Sequence, residues 1–594
     1  MPFHPRAVSE PVRIKTLERP VVGMAAGAAD YPAWAAAHCL TSEDRRLIAR
    51  HLAAMAKPPL ISVLTPVFNT PALWLRACLD SVLAQLYPHW ELCIADDAST
   101  EPAVRAVLAE YAERDPRVKV VYRPHNGHIC AATNSALALA AGRFVVLLDH
   151  DDTLAEHALY CVAAAIEAHP DAVLIYSDED YIDHLGRPLQ PWFKPAWSPD
   201  LLHAYDYIGH LVAAPTAWLR SAGGMRPGLE GSQDYDLLLR LAAETPAACI
   251  HHIPHVLYHW RAHFLSVAGN LRSKPYVPIA THRALADAIA ARNVGAEVLD
   301  VASSSILHRV RYPLPDPAPL VSVLLDATSR ASRLAEQLAA LRQTQYPALE
   351  VIVAAADPPA IPALPAAWRP PWALRSIRWV HPGPAAAVFN ACAAEARGEL
   401  LCCLEGSAVP AGSGWLEEVA SHALRLEVGA VGPHVRLPVS HLAVDGVMFL
   451  RREGLDAPPW LPPTPRRQAI RNVAALSSAC LALRREVFQA AGGFDVELTP
   501  ADAVVDLCLR LRLRGYWLVL TPFAEVDDTG VEDGGEMTEA ARQRSAARLR
   551  QNWGSLATVD PFANPNLAWR EGKAAFAMPS QAPRPWESVR HPAT

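Results

Sequence analysis

Four acidic clusters occupy the first half of the 594-residue chain: Asp96-Asp97, Asp149-His150-Asp151-Asp152, Asp178-Glu179-Asp180 and Asp234-Tyr235-Asp236. Asp149 and Asp151 follow the apolar run RFVVLL and offer hard oxygen ligands of the kind that Mg2+ or Mn2+ takes. A cation held there would neutralise a diphosphate and stabilise it as a leaving group. Asp234, in GSQDYDLLLRL, stands where a loop enters an amphipathic helix. A carboxylate there can act as a general base, or simply complement the helix dipole. Two acids in an exposed turn are ordinarily just solvated, so the weight rests on all four clusters and on where they fall.

The surrounding pattern alternates strand and helix. LISVLTPV, ending near Pro66, is short, apolar and β-branched, as a buried parallel strand is. Thr70-Pro71 reads as a capping hydroxyl and an N1 proline before the helix ALWLRACLDSVLAQL. Strand WELCIADD, a helix from about Pro102, strand VKVVYR, helix AATNSALALAA, a stop at Gly142 and strand RFVVLLD follow. This rhythm predicts an α/β domain with a mainly parallel sheet. Ligands of such sheets bind beyond the carboxyl ends of the strands, where Asp96-Asp97 and Asp149–Asp152 fall. Upstream, Ser42-Glu43-Asp44 reads as the cap of RRLIARHLAAM.

The pattern then repeats. SVLT at Ser62 recurs as SVLL at Ser322, Glu91 as Glu350, NSALALAAGRFVVLLDHD from Asn134 as NACAAEARGELLCCLEGS from Asn390, and YDLLLRL around Asp236 as VDLCLRL around Asp506. Four matches in order imply a duplicated domain. The expected division is an irregular then helical extension over 1–57, a first domain over 58–305, a proline-rich linker over 306–319, a second domain over 320–530, and a helical and irregular tail over 531–594. Asp236 recurs as Asp506, which fits a structural role, whereas Asp234 is replaced by Val504.

The chain is 51% hydrophobic and 19% charged, with formal net charge −7, a balance against a dedicated nucleic-acid binder. The eleven cysteines lack CxxC spacing and mostly lie in apolar runs, which reads as buried free thiols in a reducing compartment. No run reaches the roughly 20 apolar residues of a spanning helix, and VVGMAAGAA is a weak mimic of a signal peptide. A cytoplasmic location is expected.

LISVLTPVFN, WELCIADDAS, NGHICAATNSALALAAGRFVVLLDHDD, YSDEDYID, FKPAWSPDLL, YIGHLV, GSQDYDLLLRLA and HIPHVLYHWR together resemble the family 2 glycosyltransferases with the GT-A fold, in particular bacterial two-domain members of polysaccharide and O-antigen assembly. The resemblance spans most of residues 31 to 570. It implies an inverting, metal-dependent transfer from a nucleotide-diphosphate sugar to a glycan or lipid-linked acceptor, and a peripheral position on the inner face of the cytoplasmic membrane. It further implies that Asp234 is the base, that Asp149 and Asp151 hold Mn2+ or Mg2+, and that Pro66, Asp96, Asp97 and Asn134 line the nucleotide. Asp178, Glu179, Asp180, Gln233, His259, Trp260 and Arg261 fall on the donor and acceptor side. In the second domain Asp96, Asp97, Asp149, Asp151 and Asp234 correspond to Ala355, Ala356, Glu405, Ser407 and Val504. This predicts a degenerate copy kept for acceptor positioning, membrane docking or assembly.

Other features have plain readings. His251, His255, His259 and His263 recur every fourth residue, but Pro254 and strand-like HVLYHW argue against a helical metal stripe. His150 either orients a carboxylate or is exposed. Trp192 and Trp197 suit either sugar stacking or packing. A sugar nucleotidyltransferase would need a basic, glycine-rich phosphate loop that TPVFNTPALW lacks, and a non-catalytic carbohydrate-binding scaffold would not need the first-domain acids.

Overall fold

The computed structural model describes residues 31–262, 276–302, 304–328, 333–355, 373–379, 384–436, 465–528, 539–557, 559–570 and 573–590. The first domain contains β1 (Ile61–Val67), β2 (Trp90–Asp96), β3 (Val118–Tyr122), β4 (Phe144–Leu147), β5 (Thr153–Leu154), β6 (Leu174–Ile182), β7 (Pro188–Trp192), β8 (Val212–Pro215) and β9 (Ile250–Arg261). They form one sheet in the order β3-β2-β1-β4-β8-β6-β9-β5, with β7 paired to β6. Strands β3, β2, β1 and β4 are parallel, but β8 runs antiparallel to both β4 and β6. The expected parallel run is present, within a mixed sheet. Every residue of β1 and β2 is buried, because helices cover both faces.

A hairpin of β10 (Glu297–Asp300) and β11 (His308–Arg311) closes the first domain. It places a strand inside the span 306–319 expected to be linker. The second domain has β12 (Val321–Asp326), β13 (Leu349–Ala355), β14 (Ala373–Arg378), β15 (Leu400–Leu404), β16 (Ala408–Ala411), β17 (Val428–Arg436), β18 (Arg471–Asn472), β19 (Cys480–Arg484) and β20 (Trp517–Asp528). Their order, β14-β13-β12-β15-β19-β17-β20-β16, repeats the first sheet strand for strand; β18 pairs β20.

The same polar clamp ties both sheets. Ser62 Oγ donates to Glu91 at 2.7 Å and accepts from Gly142 N at 2.9 Å; Ser322 donates to Glu350 at 2.6 Å and accepts from Gly398 N at 2.9 Å. A Cβ on Gly142 would lie 2.7 Å from the Leu60 carbonyl oxygen, and one on Gly398 2.7 Å from that of Leu320. Glycine is needed there for close backbone approach, beyond ending a helix.

The residues after the second domain turn back onto the first. Asn564 and Asn566 both donate to the buried Asp178 carboxylate, at 2.7 and 3.1 Å. Trp586 Nε1 donates to Asp44 at 2.9 Å, and its ring joins the core beneath β1 and β2. A short hairpin, β21 (Leu567–Arg570) with β22 (Lys573–Phe576), lies between these anchors. The last part of the expected helical and irregular tail is thus a strap built into the first domain. The two domains also meet at a buried polar joint, where Asp200 pairs with Arg425 at 2.5 Å and with Asn472 Nδ2 at 2.7 Å.

Two expected caps shift by one residue. Thr41 is the N-cap of helix Ser42–Ala54 and closes a capping box with Asp44. Pro71, not Thr70, is the N-cap of Ala72–Leu83; the buried Thr70 hydroxyl has no partner. All eleven cysteines are free and most are buried. Among the described residues no helix is long and apolar enough to cross a membrane.

Candidate functional site

The site lies at the carboxyl ends of β1, β2 and β4. Three residues with left-handed backbone sit in the loops after β1, β2 and β3: Asn69 (φ 48°), Ala98 (φ 60°) and His128 (φ 63°). For Ala98 this costs roughly 1–2 kcal/mol, offset by the surrounding framework. The Asn69 carboxamide oxygen accepts from Thr100 N at 2.8 Å and Glu101 N at 3.1 Å, joining the β1 loop to the helix after β2.

Asp96 is fully buried; among the described residues its Oδ2 has no hydrogen-bond partner, while Oδ1 accepts from Ser99 N at 3.2 Å. An orphaned buried carboxylate oxygen at a strand end is suited to a ligand N–H or O–H. Its neighbour differs: Asp97 accepts from Arg123 Nε at 2.7 Å and Gly127 N at 3.0 Å, so this acid is spent on closing the loops. Asn134 is likewise spent. Its carboxamide exchanges two hydrogen bonds with the Met225 backbone, at 2.8 and 2.9 Å, and Asn390 does the same with Phe494 at 2.9 Å. The recurrence of this arrangement at Asn390 fits a scaffold role for these carboxamides.

The loop after β4 carries half-buried Asp149 and Asp151. It is held by His150 Nδ1 on the Pro66 carbonyl (2.8 Å), by Tyr258 Oη, which accepts from Asp149 N (3.2 Å) and donates to Asp152 (2.6 Å), and by Arg261 Nε on the Asp151 carbonyl (2.7 Å). His150 thus anchors the loop to β1. Burial pushes the Asp149 carboxyl above its ordinary range; His210 opposes the rise, and Asp151 and Asp234 add to it. Asp234 therefore stands within electrostatic reach of the loop. Two half-buried carboxylates two residues apart in one loop, with other positions left to substrate oxygens and water, suit Mg2+ or Mn2+. Among the described residues, neither joins a ready-made cage of three donors.

Asp234 is half-buried in the first turn of helix Gln233–Glu244, its Oδ1 accepting from Tyr235 N at 2.8 Å. Gln233 Oε1 accepts from Gly231 N at 2.7 Å. Asp236 pairs with Arg226 and, at 2.9 Å, with Arg240, which in turn bonds the Ala222 and Gly224 carbonyls. Asp506 and Arg510 repeat this arrangement, in keeping with a structural Asp236.

Residues absent from the sequence-based list complete the site. Burial and then the Asp234 charge push the Asp206 carboxyl up to about 7. Burial opposes protonation of His210, yet Glu179, with Asp149 and Asp152, raises it to about 10. Its ring stacks on Tyr258 at 4.5 Å. Both belong to the stretch around YIGHLV, where the signal is an acid and an imidazole four residues apart, Asp206 and His210.

The Asp178-Glu179-Asp180 triplet is distributed among three clamps. Asp178 accepts from Lys194 N at 2.9 Å and contacts His252 Nε2 at 2.8 Å, besides the two asparagines of the strap. Glu179 pairs with fully buried Lys194 at 3.1 Å and accepts from His210 N at 2.7 Å. Asp180 accepts from Tyr31 Oη at 2.8 Å and meets His259 Nδ1 at 2.6 Å. Alternation along β6 sends adjacent side chains to opposite faces, so one ligand cannot collect all three. Trp260 stacks on Tyr181 at 5.2 Å, and Trp192 and Trp197 pack on the core. His251, His255 and His259 lie on β9, which rules out a helical stripe; His263 lies outside the described residues.

In the second domain the equivalent place has closed. Glu405 and Val504, the counterparts of Asp149 and Asp234, line one cavity of about 10 Å3 with Phe389, Phe494 and Cys403. That is room for about one water. Ala356 lies outside the described residues.

Residues 62–222 match the glycosyl transferase family 2 model, and residues 317–552 match the glycosyltransferase-like family 2 model. The chain is similar to the uncharacterized protein y4gI of Sinorhizobium fredii, at 37% identity over 88% of this chain and 59% of that protein. It is 36% identical to the O-antigen biosynthesis protein RfbC of Myxococcus xanthus, over 91% of this chain and 42% of that protein. It is 32% identical to the putative colanic acid biosynthesis glycosyl transferase WcaA of Escherichia coli, over 32% of this chain and 68% of that protein. The chain thus spans about half the length of the first two relatives. Tandem sheets of one topology, acids gathered at the strand ends of the first, and these matches agree: the chain belongs to glycosyl transferase family 2.

Proposed function

We propose that the first domain transfers a sugar from a nucleotide-diphosphate donor to a hydroxyl of a growing glycan or lipid-linked acceptor, with inversion, in cell-surface polysaccharide synthesis. The observation that carries this reading is the paired contrast at one topological position: Asp149, Asp151 and Asp234 in the first domain against Glu405, Ser407 and a buried Val504 in the second. The relatives named for O-antigen and colanic acid biosynthesis support the substrate class.

In this reading Asp234 takes the proton of the attacking acceptor hydroxyl. Asp206 beside it discourages a second negative charge and so keeps one proton near the pair. Asp149 and Asp151 would hold Mn2+ or Mg2+, which when bound offsets the charge of a diphosphate. The orphaned Asp96 oxygen receives a donor group of the nucleotide, and Arg261, braced by the Asp151 and Asp183 carbonyls, holds the loop in shape.

The test is incubation of the full chain with UDP-, GDP- and dTDP-sugars, Mn2+ and a panel of glycan acceptors. Turnover that vanishes with chelator and in Asp234→Asn is the expected result. Turnover without metal, or full activity in Asp234→Asn, would remove the assigned roles.

A further inference from the structure

We propose that His282, Asp300 and His308 form a binding site for a transition-metal ion of the zinc type, separate from the acids of the first sheet. Three elements supply the donors. His282 lies on helix Val277–Ala291, Asp300 ends β10, and His308 opens β11 as the cross-strand partner of Asp300. The two imidazole Nδ1 atoms approach the same Asp300 oxygen, at 2.8 and 3.0 Å, and the rings cross at 80° with centroids 5.6 Å apart. Among the described residues this is the one group of three His, Cys, Asp or Glu donors whose ligand atoms close within 4.8 Å.

The donor set selects the ion. Two imidazoles and one carboxylate suit zinc and its neighbours, whereas the all-oxygen preference of Mg2+ does not match. Zinc–ligand distances near 2.1 Å in a tetrahedron put ligands about 3.4 Å apart. The two imidazole–Asp300 separations, 2.8 and 3.0 Å, need to open by roughly half an ångström to reach that spacing. The freedom for this is on one side: the His308 side chain is 1% exposed, while those of His282 and Asp300 are 39% and 71% exposed and can swing. The open side of Asp300 leaves room for a water as fourth ligand. The described ion pairs of Asp300 involve these two imidazoles and no arginine or lysine.

The location gives the ion a purpose. It would pin the hairpin to the helix where the first domain ends, one residue before Arg309 reaches across to Glu418 of the second domain. This is a structural staple at the domain boundary.

The test is calorimetric titration of Zn2+ into the full chain, free of added histidines and in excess Mg2+, with Co2+ absorption as a check on geometry. One zinc per chain, tetrahedral Co2+ bands, a raised Tm, and affinity weakened at least about tenfold in His282→Ala and in Asp300→Asn are expected. Both variants change exposed side chains, so folding is preserved. The same binding should persist in Asp149→Asn, which separates this site from the proposed catalytic one. No saturable zinc, or affinity unchanged in the His282→Ala/Asp300→Asn double variant, would overturn the proposal and leave a carboxylate that merely accepts two imidazole hydrogen bonds.

Discussion

The two domains share a strand order and a set of polar clamps, but Asp96, Asp97, Asp149, Asp151 and Asp234 of the first have no aspartate counterparts in the second. Ser62, Glu91, Asn134 and Asp236 recur as Ser322, Glu350, Asn390 and Asp506, and each pair shares one bond at the same place: serine to glutamate, asparagine to a backbone N–H, and aspartate to the arginine four residues on. Asp149, Asp151 and Asp234 do not recur, and apolar side chains fill the corresponding space. A duplicated chain thereby separates polar residues that hold the fold from polar residues that serve a ligand. Whatever satisfies buried backbone must stay when the fold stays; whatever meets only a ligand is free to go.

The largest expected difference is catalytic. Asp234→Asn should lower transfer by roughly 10²- to 10⁴-fold with nucleotide binding intact, while Val504→Ala leaves the rate unchanged. Steady-state turnover with nucleotide calorimetry checks both. Equal losses from both substitutions would break the assignment of chemistry to one domain.

The joint between domains comes next. Arg425→Ala leaves Asp200 buried without its cation and should cost about 3–5 kcal/mol, read by denaturant unfolding. The wild-type joint has a pH signature. Burial disfavours the Asp200 charge, but Arg425 outweighs it and holds the carboxyl at about 2. The unfolded value is roughly 3.9. Stability from this group is therefore complete above about pH 4 and lost as pH falls toward 2. Hydrogen exchange at Ser198–Asp200 across that window should show protection failing on acidification.

Smaller still is the strap. Asn564→Ala with Asn566→Ala leaves the buried Asp178 short of donors and should cost about 1–3 kcal/mol, with new proteolytic cleavage after residue 560 as the readout. Smallest is Thr41→Ala, which removes a capping box the second domain lacks an extension to need, at about 1 kcal/mol in Tm analysis.

Much of this was legible in the chain. The apolar runs of β1, β2 and β4 announce buried parallel strands, the acids behind them announce a crevice, and four ordered matches announce the duplication. The triplet at 178–180 is contiguous in sequence, but a strand alternates its side chains, and each acid meets a different protein partner. The pairing of Asp97 with Arg123, 26 residues further on and past β3, is beyond the reach of spacing arguments.

Local order, periodicity and the loss of acids from the repeat follow from the sequence by itself, because they depend on neighbours a few residues apart or on comparison of the two halves. The tertiary structure alone decided that the last residues strap the first domain, that Asp206 and His210 join the site, and that His282, Asp300 and His308 converge. Those outcomes rest on side chains distant along the chain sharing a small volume, where burial and charge act through space.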